Sequence, residues 1–188
     1  GELKEKFIAA AKNITVGSGL DEKTAMGPLA GAQHKERVLS YIEKGIAEGA
    51  ELLLDGRNYT VPEYPNGYFV GPTIFDNVRP DMTIASEEIF GPVVSIVNPQ
   101  NMDELVELVN SRNYANAACI YTQSGSAARD FKYRVNPSMV GINIGVAAPM
   151  SFFPFGGHGN SMFGDIKGHG QEIFLFFTDM KVVIERWY

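Results

Sequence analysis

From residue 92 onward the chain switches repeatedly between two hydrophobic periods, and that alternation limits its fold more than any other feature. Residues 92–97 (PVVSIV) are nearly all apolar and β-branched, the pattern of a strand covered on both faces. Residues 102–110 carry Leu105, Val106, Leu108 and Val109 at helical spacing, and Asn101 before them is a good N-cap. A buried strand is predicted at 117–122, a helix at 124–135 and a further apolar strand at 138–144. Strands that alternate with helices pair in parallel, because each crossover helix returns the chain to the same end of the sheet. The predicted class is α/β, three layers of α/β/α around a mostly parallel sheet.

The first half is less regular. Leu3, Phe7, Ile8 and Ala11 share one face, so an amphipathic helix opens the chain and ends near Lys12. Such an opening inside an amphipathic segment fits a truncation better than a natural start. A loop runs from Val16 to Gly31, and a second helix over 32–49 carries Val38, Tyr41, Ile42 and Ile46 on its apolar face. A short strand is predicted at 52–54, followed by a turn-rich surface segment at 58–67.

Composition excludes several classes of function. The 188 residues can bury a core, and 45% hydrophobic with 20% charged residues argues against disorder. A net charge of −6 disfavours nucleic acid as a partner, since phosphate binding needs a basic surface. No apolar run approaches the roughly 20 residues that span a bilayer, and no segment of signal-peptide character opens the sequence. One cysteine cannot form an internal disulfide framework and fits a reducing compartment. The sequons at Asn13 and Asn58 then carry no weight.

Candidate chemistry is sparse. Glu87, Glu88 and Phe90 stand immediately before the strand at 92–97, with Gly91-Pro92 setting a sharp turn into it. A ring and an acid at a strand edge suit a ligand with a flat face and hydroxyl groups. The plainer alternative, an acidic turn, is favoured by spacing alone. Cys119 lies among Ala117, Ala118, Ile120 and Tyr121, without the cation or helix N-terminus that activates a thiol, and is expected to be an inert core residue. His34 sits among Gln33, Lys35, Glu36 and Arg37 and is expected to be solvated. His158 and His169 are flanked by glycines at no zinc-ligand spacing, so no metal site is expected. Ser151, His158 and Asp165 lack a nucleophile-elbow motif. The glycine-rich stretch 156–170 lacks a phosphate-loop pattern and reads as a flexible or tightly turned loop. Ile173 to Phe177 and Lys181 to Ile184 place many large apolar groups beside the terminus. Either they form a strand added to another subunit's sheet, or an edge strand of the same domain.

The heptapeptide EEIFGPV (87–93) resembles the signature of the NAD(P)-dependent aldehyde dehydrogenase superfamily. Met26-Gly27-Pro28-Leu29, Gly71-Pro72-Thr73-Ile74 and Pro154-Phe155-Gly156-Gly157 agree with it. The stretch 149–157 and the ending from Phe163-Gly164-Asp165 to Arg186-Trp187 resemble the CoA-acylating, methylmalonate-semialdehyde branch. His158-Gly159-Asn160 departs from the basic residue usual there. The resemblance runs end to end, and it implies the C-terminal part of a longer chain: residues 1–170 from the catalytic domain and 171–188 an oligomerisation segment. It places the nucleophilic cysteine, the oxyanion amide and the dinucleotide-binding half upstream, so that the chain alone would be inactive. By the same resemblance Glu88 accepts hydrogen bonds from the nicotinamide ribose of NAD and Phe90 lies beside it, with Glu87 a supporting or surface acid. Pro149 and Phe155 align near the aldehyde tunnel, a buried hydrophobic loop being the equal alternative. The implied whole enzyme oxidises a semialdehyde through a cysteine thioester, passes the acyl group to CoA, and is a homo-oligomer through its C-terminal strand. It would be cytoplasmic, or in the mitochondrial matrix of a eukaryote. A hydrolytic aldehyde dehydrogenase and a noncatalytic interaction module are the alternatives.

Overall fold

The computed structural model describes residues 1–188, which divide into two compact units, Gly1–Asn98 and Pro99–Tyr188.

The first unit begins with α1 (Glu2–Lys12), whose acids Glu2 and Glu5 lie in the first turn and whose Lys12 lies in the last, as the helix dipole favours. Helix α2 (Ala32–Ala47) follows. It stops because Gly49 adopts φ 92° and turns the backbone, so that the Ala50 N–H reaches the Gly45 carbonyl at 2.9 Å and the Gly49 N–H reaches Ile46 at 3.0 Å. Strand β1 (Glu51–Leu54), strand β2 (Thr73–Asp76), the one-turn helix α3 (Thr83–Ser86) and strand β3 (Val93–Ser95) complete the unit. The sheet order is β1-β2-β3, with β1 antiparallel and β3 parallel to the central β2.

Strand β2 is not evident from periodicity, yet every one of its residues is buried. Four residues with Thr at one end and Asp at the other carry no period that could distinguish them from a loop. Their polar groups are nonetheless paired: the Gly56 N–H donates to Thr73 Oγ1 at 3.1 Å, and Asp76 accepts from Lys4 of α1 and from Asn98. Burial by itself would push the Asp76 carboxyl up. The hydrogen bonds from Lys4, Asn98 and the Asn77 N–H outweigh it and hold the group below the usual carboxylate range.

The core of this unit is α2 laid on the sheet. Val38, Tyr41 and Ile42 pack with Phe75, Met82, Ile84 and Ile89. Gly45 is buried on this face, whereas Ile46, predicted to lie on it, is 38% exposed. The expectation that residues 92–97 are covered on both faces also requires correction. Strand β3 is shorter and lies at the sheet edge, and Val94 is 41% exposed because its side chain points to the face opposite Val93, which no element of this chain covers.

The second unit follows the predicted alternation closely. Helix α4 (Met102–Asn110) is capped by Asn101, whose side chain accepts the Glu104 N–H at 2.9 Å, while Glu104 accepts the Gln100 N–H at 2.7 Å. Strand β4 (Ala117–Ile120) pairs in parallel with β5 (Met139–Ile142), and α5 (Gly125–Arg134), capped by Ser124, crosses between them. Val106, Phe131 and Val135 pack against Ala118, Ile120 and Val140. These helices cover one face of the two strands, so β4 is half-buried rather than buried, and Cys119 is half-buried on the alternate face rather than in the core.

The α/β class is thus met, with parallel pairing in both units. The strands form two sheets, of three and two strands. The glycine-rich stretch is tightly turned, and Phe155 and Gly168 pair across it at 2.7 Å. Helix α6 (Glu172–Phe177) follows, so Ile173 to Phe177, expected in a strand, are helical, and residues 178–188 pair with no strand of this chain. No helix is long and apolar enough to cross a membrane.

Candidate functional site

The heptapeptide is pinned by its middle. Ile89, 7% exposed, is inserted into the core beneath α2, and the residues flanking it, Glu88 and Phe90, are turned outward. Three side chains of α2 then grip the segment from one helix face. The Tyr41 hydroxyl donates to the Glu87 carboxylate. Arg37 Nη2 donates to the Glu88 carbonyl at 3.4 Å and to the Tyr41 oxygen at 3.3 Å. His34 Nε2 lies 2.7 Å from the Phe90 carbonyl. Positions 34, 37 and 41 share a face because three- and four-residue steps return to the same side of a helix.

This corrects the reading of His34 as solvated: the residue is half-buried and its ring is bonded to backbone. Glu87 is a supporting acid. The Tyr41 phenol is held above its usual value, first by the hydrogen bond to Glu87 and then by burial, with the Arg37 charge opposing. Sequence reasoning missed all three helix contacts. The spacing of His34, Arg37 and Tyr41 is visible in the sequence, but what they face is not.

Phe90 occupies the left-handed region at φ 57°, which for a bulky residue costs about 1–3 kcal/mol. The conformation reverses the chain and leaves the ring 69% exposed. Gly91 follows it against α2, where an added Cβ would lie 2.7 Å from Val38 Cγ2. The Glu88 side chain is exposed and accepts no hydrogen bond from the protein. The result is a fixed aromatic face next to a carboxylate with both oxygens available, suited to a ligand that offers a planar group and paired hydroxyls.

In the second unit Phe155 is 44% exposed and stacks on His169, with ring centroids 5.5 Å apart and planes inclined at 29°. Lys167 Nζ donates to the Gly157 carbonyl at 2.8 Å and ties down the same loop. Pro149 is half-buried. Phe152 and Phe153, at 65% and 55% exposure, show that the 149–155 stretch is not buried within this chain. No group of three His, Cys, Asp or Glu side chains is placed to hold a metal ion.

An α/β chain with this motif at the turn into a parallel strand belongs to the aldehyde dehydrogenase family, whose model matches residues 1–183. Among its relatives, the malonate-semialdehyde dehydrogenase 2 of Geobacillus kaustophilus is 47% identical over 99% of this chain. A Sinorhizobium meliloti structure, assigned as a methylmalonate-semialdehyde dehydrogenase and complexed with NAD, superposes over 100% of the chain with a TM-score of 0.97 and 40% identity. The methylmalonate-semialdehyde dehydrogenase of Oceanimonas doudoroffii gives 0.96 and 39% over the same span. The chain spans 38% of the length of each of the three.

Proposed function

We propose that this chain forms the C-terminal part of an NAD-dependent, CoA-acylating dehydrogenase acting on malonate or methylmalonate semialdehyde. The observation that carries the reading is the outward presentation of Glu88 and Phe90 from a segment clamped on both sides of a buried anchor, Ile89. Those two residues fit a nicotinamide ribose: the carboxylate takes the two vicinal hydroxyls and the ring borders the sugar. When bound, NAD supplies the hydride-accepting ring, and the chain's part is to orient it. Pro149 and Phe155 line the aldehyde path, and the reacting cysteine lies outside the chain. The identity to malonate-semialdehyde dehydrogenases, 47% over nearly the whole chain, supports the semialdehyde substrate, and the resemblance of residues 149–157 supports the CoA-acylating branch. Residues 171–188 serve subunit contact, with 178–188 as a strand on a second copy's sheet and the chain's terminal apolar side chains covered there. The enzyme works in the cytoplasm.

The test uses the natural full-length protein. NADH formation from malonate semialdehyde is measured with and without CoA, for wild type and Glu88→Gln. Loss of the charge weakens each hydrogen bond from about 1.5–3 to about 0.5–1.5 kcal/mol and is expected to raise the KM for NAD roughly 5- to 10-fold per bond with unchanged Tm. Turnover independent of CoA points to a hydrolytic enzyme, and an unchanged NAD KM removes Glu88 from the site.

A further inference from the structure

We infer that His34 is a positioning residue for the cofactor contact: by donating to the Phe90 carbonyl, it holds the backbone turn that presents the Phe90 ring and the Glu88 carboxylate. The inference rests on the reading of Glu88 and Phe90 given above.

The left-handed backbone at Phe90 needs an external support. Its ring is 69% exposed, so burial of the ring does not hold φ at 57°. The orientation of the Phe90 carbonyl is set by rotation about the bond after its Cα, and an acceptor bond to that oxygen fixes this rotation. His34 supplies the bond at 2.7 Å. The following residue, Gly91, abuts Val38, where its absent Cβ would fall 2.7 Å from Cγ2. His34 and Val38 are four residues apart on α2, one turn on the same face. The peptide between Phe90 and Gly91 therefore meets the helix at two points, a hydrogen bond and a close packing contact, and neither contact involves the ligand. Arg37 and Tyr41 hold Glu88 and Glu87 from the same helix. Since a carbonyl can only accept, His34 Nε2 must carry a proton, so a neutral ring is the Nε2–H tautomer.

The experiment compares wild type, Glu88→Gln, His34→Ala and His34→Gln in the natural full-length protein, measuring KM for NAD, KM for the semialdehyde, kcat and Tm. The loss of one hydrogen bond predicts a roughly three- to tenfold rise in NAD KM for His34→Ala, with the aldehyde KM unchanged. His34→Gln restores the NAD KM, because a carboxamide N–H can donate to the same carbonyl. If Glu88→Gln raises the NAD KM and His34→Ala does not, the positioning role alone is overturned. If neither variant moves it, the cofactor reading fails and takes the inference with it. A fall in Tm shared by both His34 variants, with NAD KM unchanged, assigns His34 a structural role and also overturns it. Should His34→Ala not fold, ring ¹⁵N spectra of the wild type at high pH, assigned with His34→Gln, decide the matter. An Nε2–H proton protected from solvent exchange supports the bond to Phe90, and the Nδ1–H tautomer overturns it.

Discussion

Replacing Gly91 with alanine tests whether the turn that presents Phe90 is held by contact with α2. The added Cβ would lie 2.7 Å from Val38 Cγ2 and 2.8 Å from Cγ1, whereas carbon atoms pack comfortably at about 3.5–4.0 Å. Val38 cannot turn aside. It is fully buried, and a β-branched side chain in a helix has one strongly preferred rotamer. The backbone at 91 must therefore move away, at a cost of about 1–3 kcal/mol for overpacking. Val38→Ala alone removes two buried methyl groups and leaves a void, costing about 1.5–3 kcal/mol. In the double variant the methyl at 91 occupies the space vacated at 38, so the two penalties partly cancel. Urea unfolding followed by circular dichroism should place the double variant at least about 1 kcal/mol above the sum of the single losses. Additivity within about 0.5 kcal/mol would refute the argument, because it would mean that Gly91 and Val38 do not compete for one space.

The remaining expectations concern acid stability and assembly. The Asp76 carboxyl is held below its ordinary value of 3.8, so the stability it contributes is complete above that value and is lost as the pH falls through the lower folded value. Asp76→Asn should lower stability at neutral pH and flatten this acid limb in unfolding titrations, and an acid limb identical to wild type would show that Asp76 carries no such linkage. Deleting residues 178–188 from the natural full-length protein should reduce its oligomeric state in sedimentation velocity, since Val182, Val183, Ile184 and Trp187 are 64–92% exposed in the single chain. An unchanged oligomeric state would remove this segment from the interface.

What the sequence determined by itself was local. The spans of α2, α4 and α5, and the strands β4 and β5, follow from hydrophobic period and, for α4, from the cap Asn101, all of which act within a few residues. The heptapeptide 87–93 singles out Glu88 and Phe90 only through its resemblance to the aldehyde dehydrogenase signature, since spacing alone favours an acidic turn. Tertiary packing decided the rest. Strand β2 is central because β1 and β3 flank it, and its four residues say nothing of those neighbours. Strand β3 has the composition of an interior strand and is an edge, for the same reason. His34 has the charged sequence neighbours of a solvated residue, yet its partner carbonyl lies 56 residues away. Periodicity and capping report on atoms one helical turn apart. The orientation of a side chain toward a distant carbonyl is fixed only when Ile89 inserts under α2 and brings the two segments together.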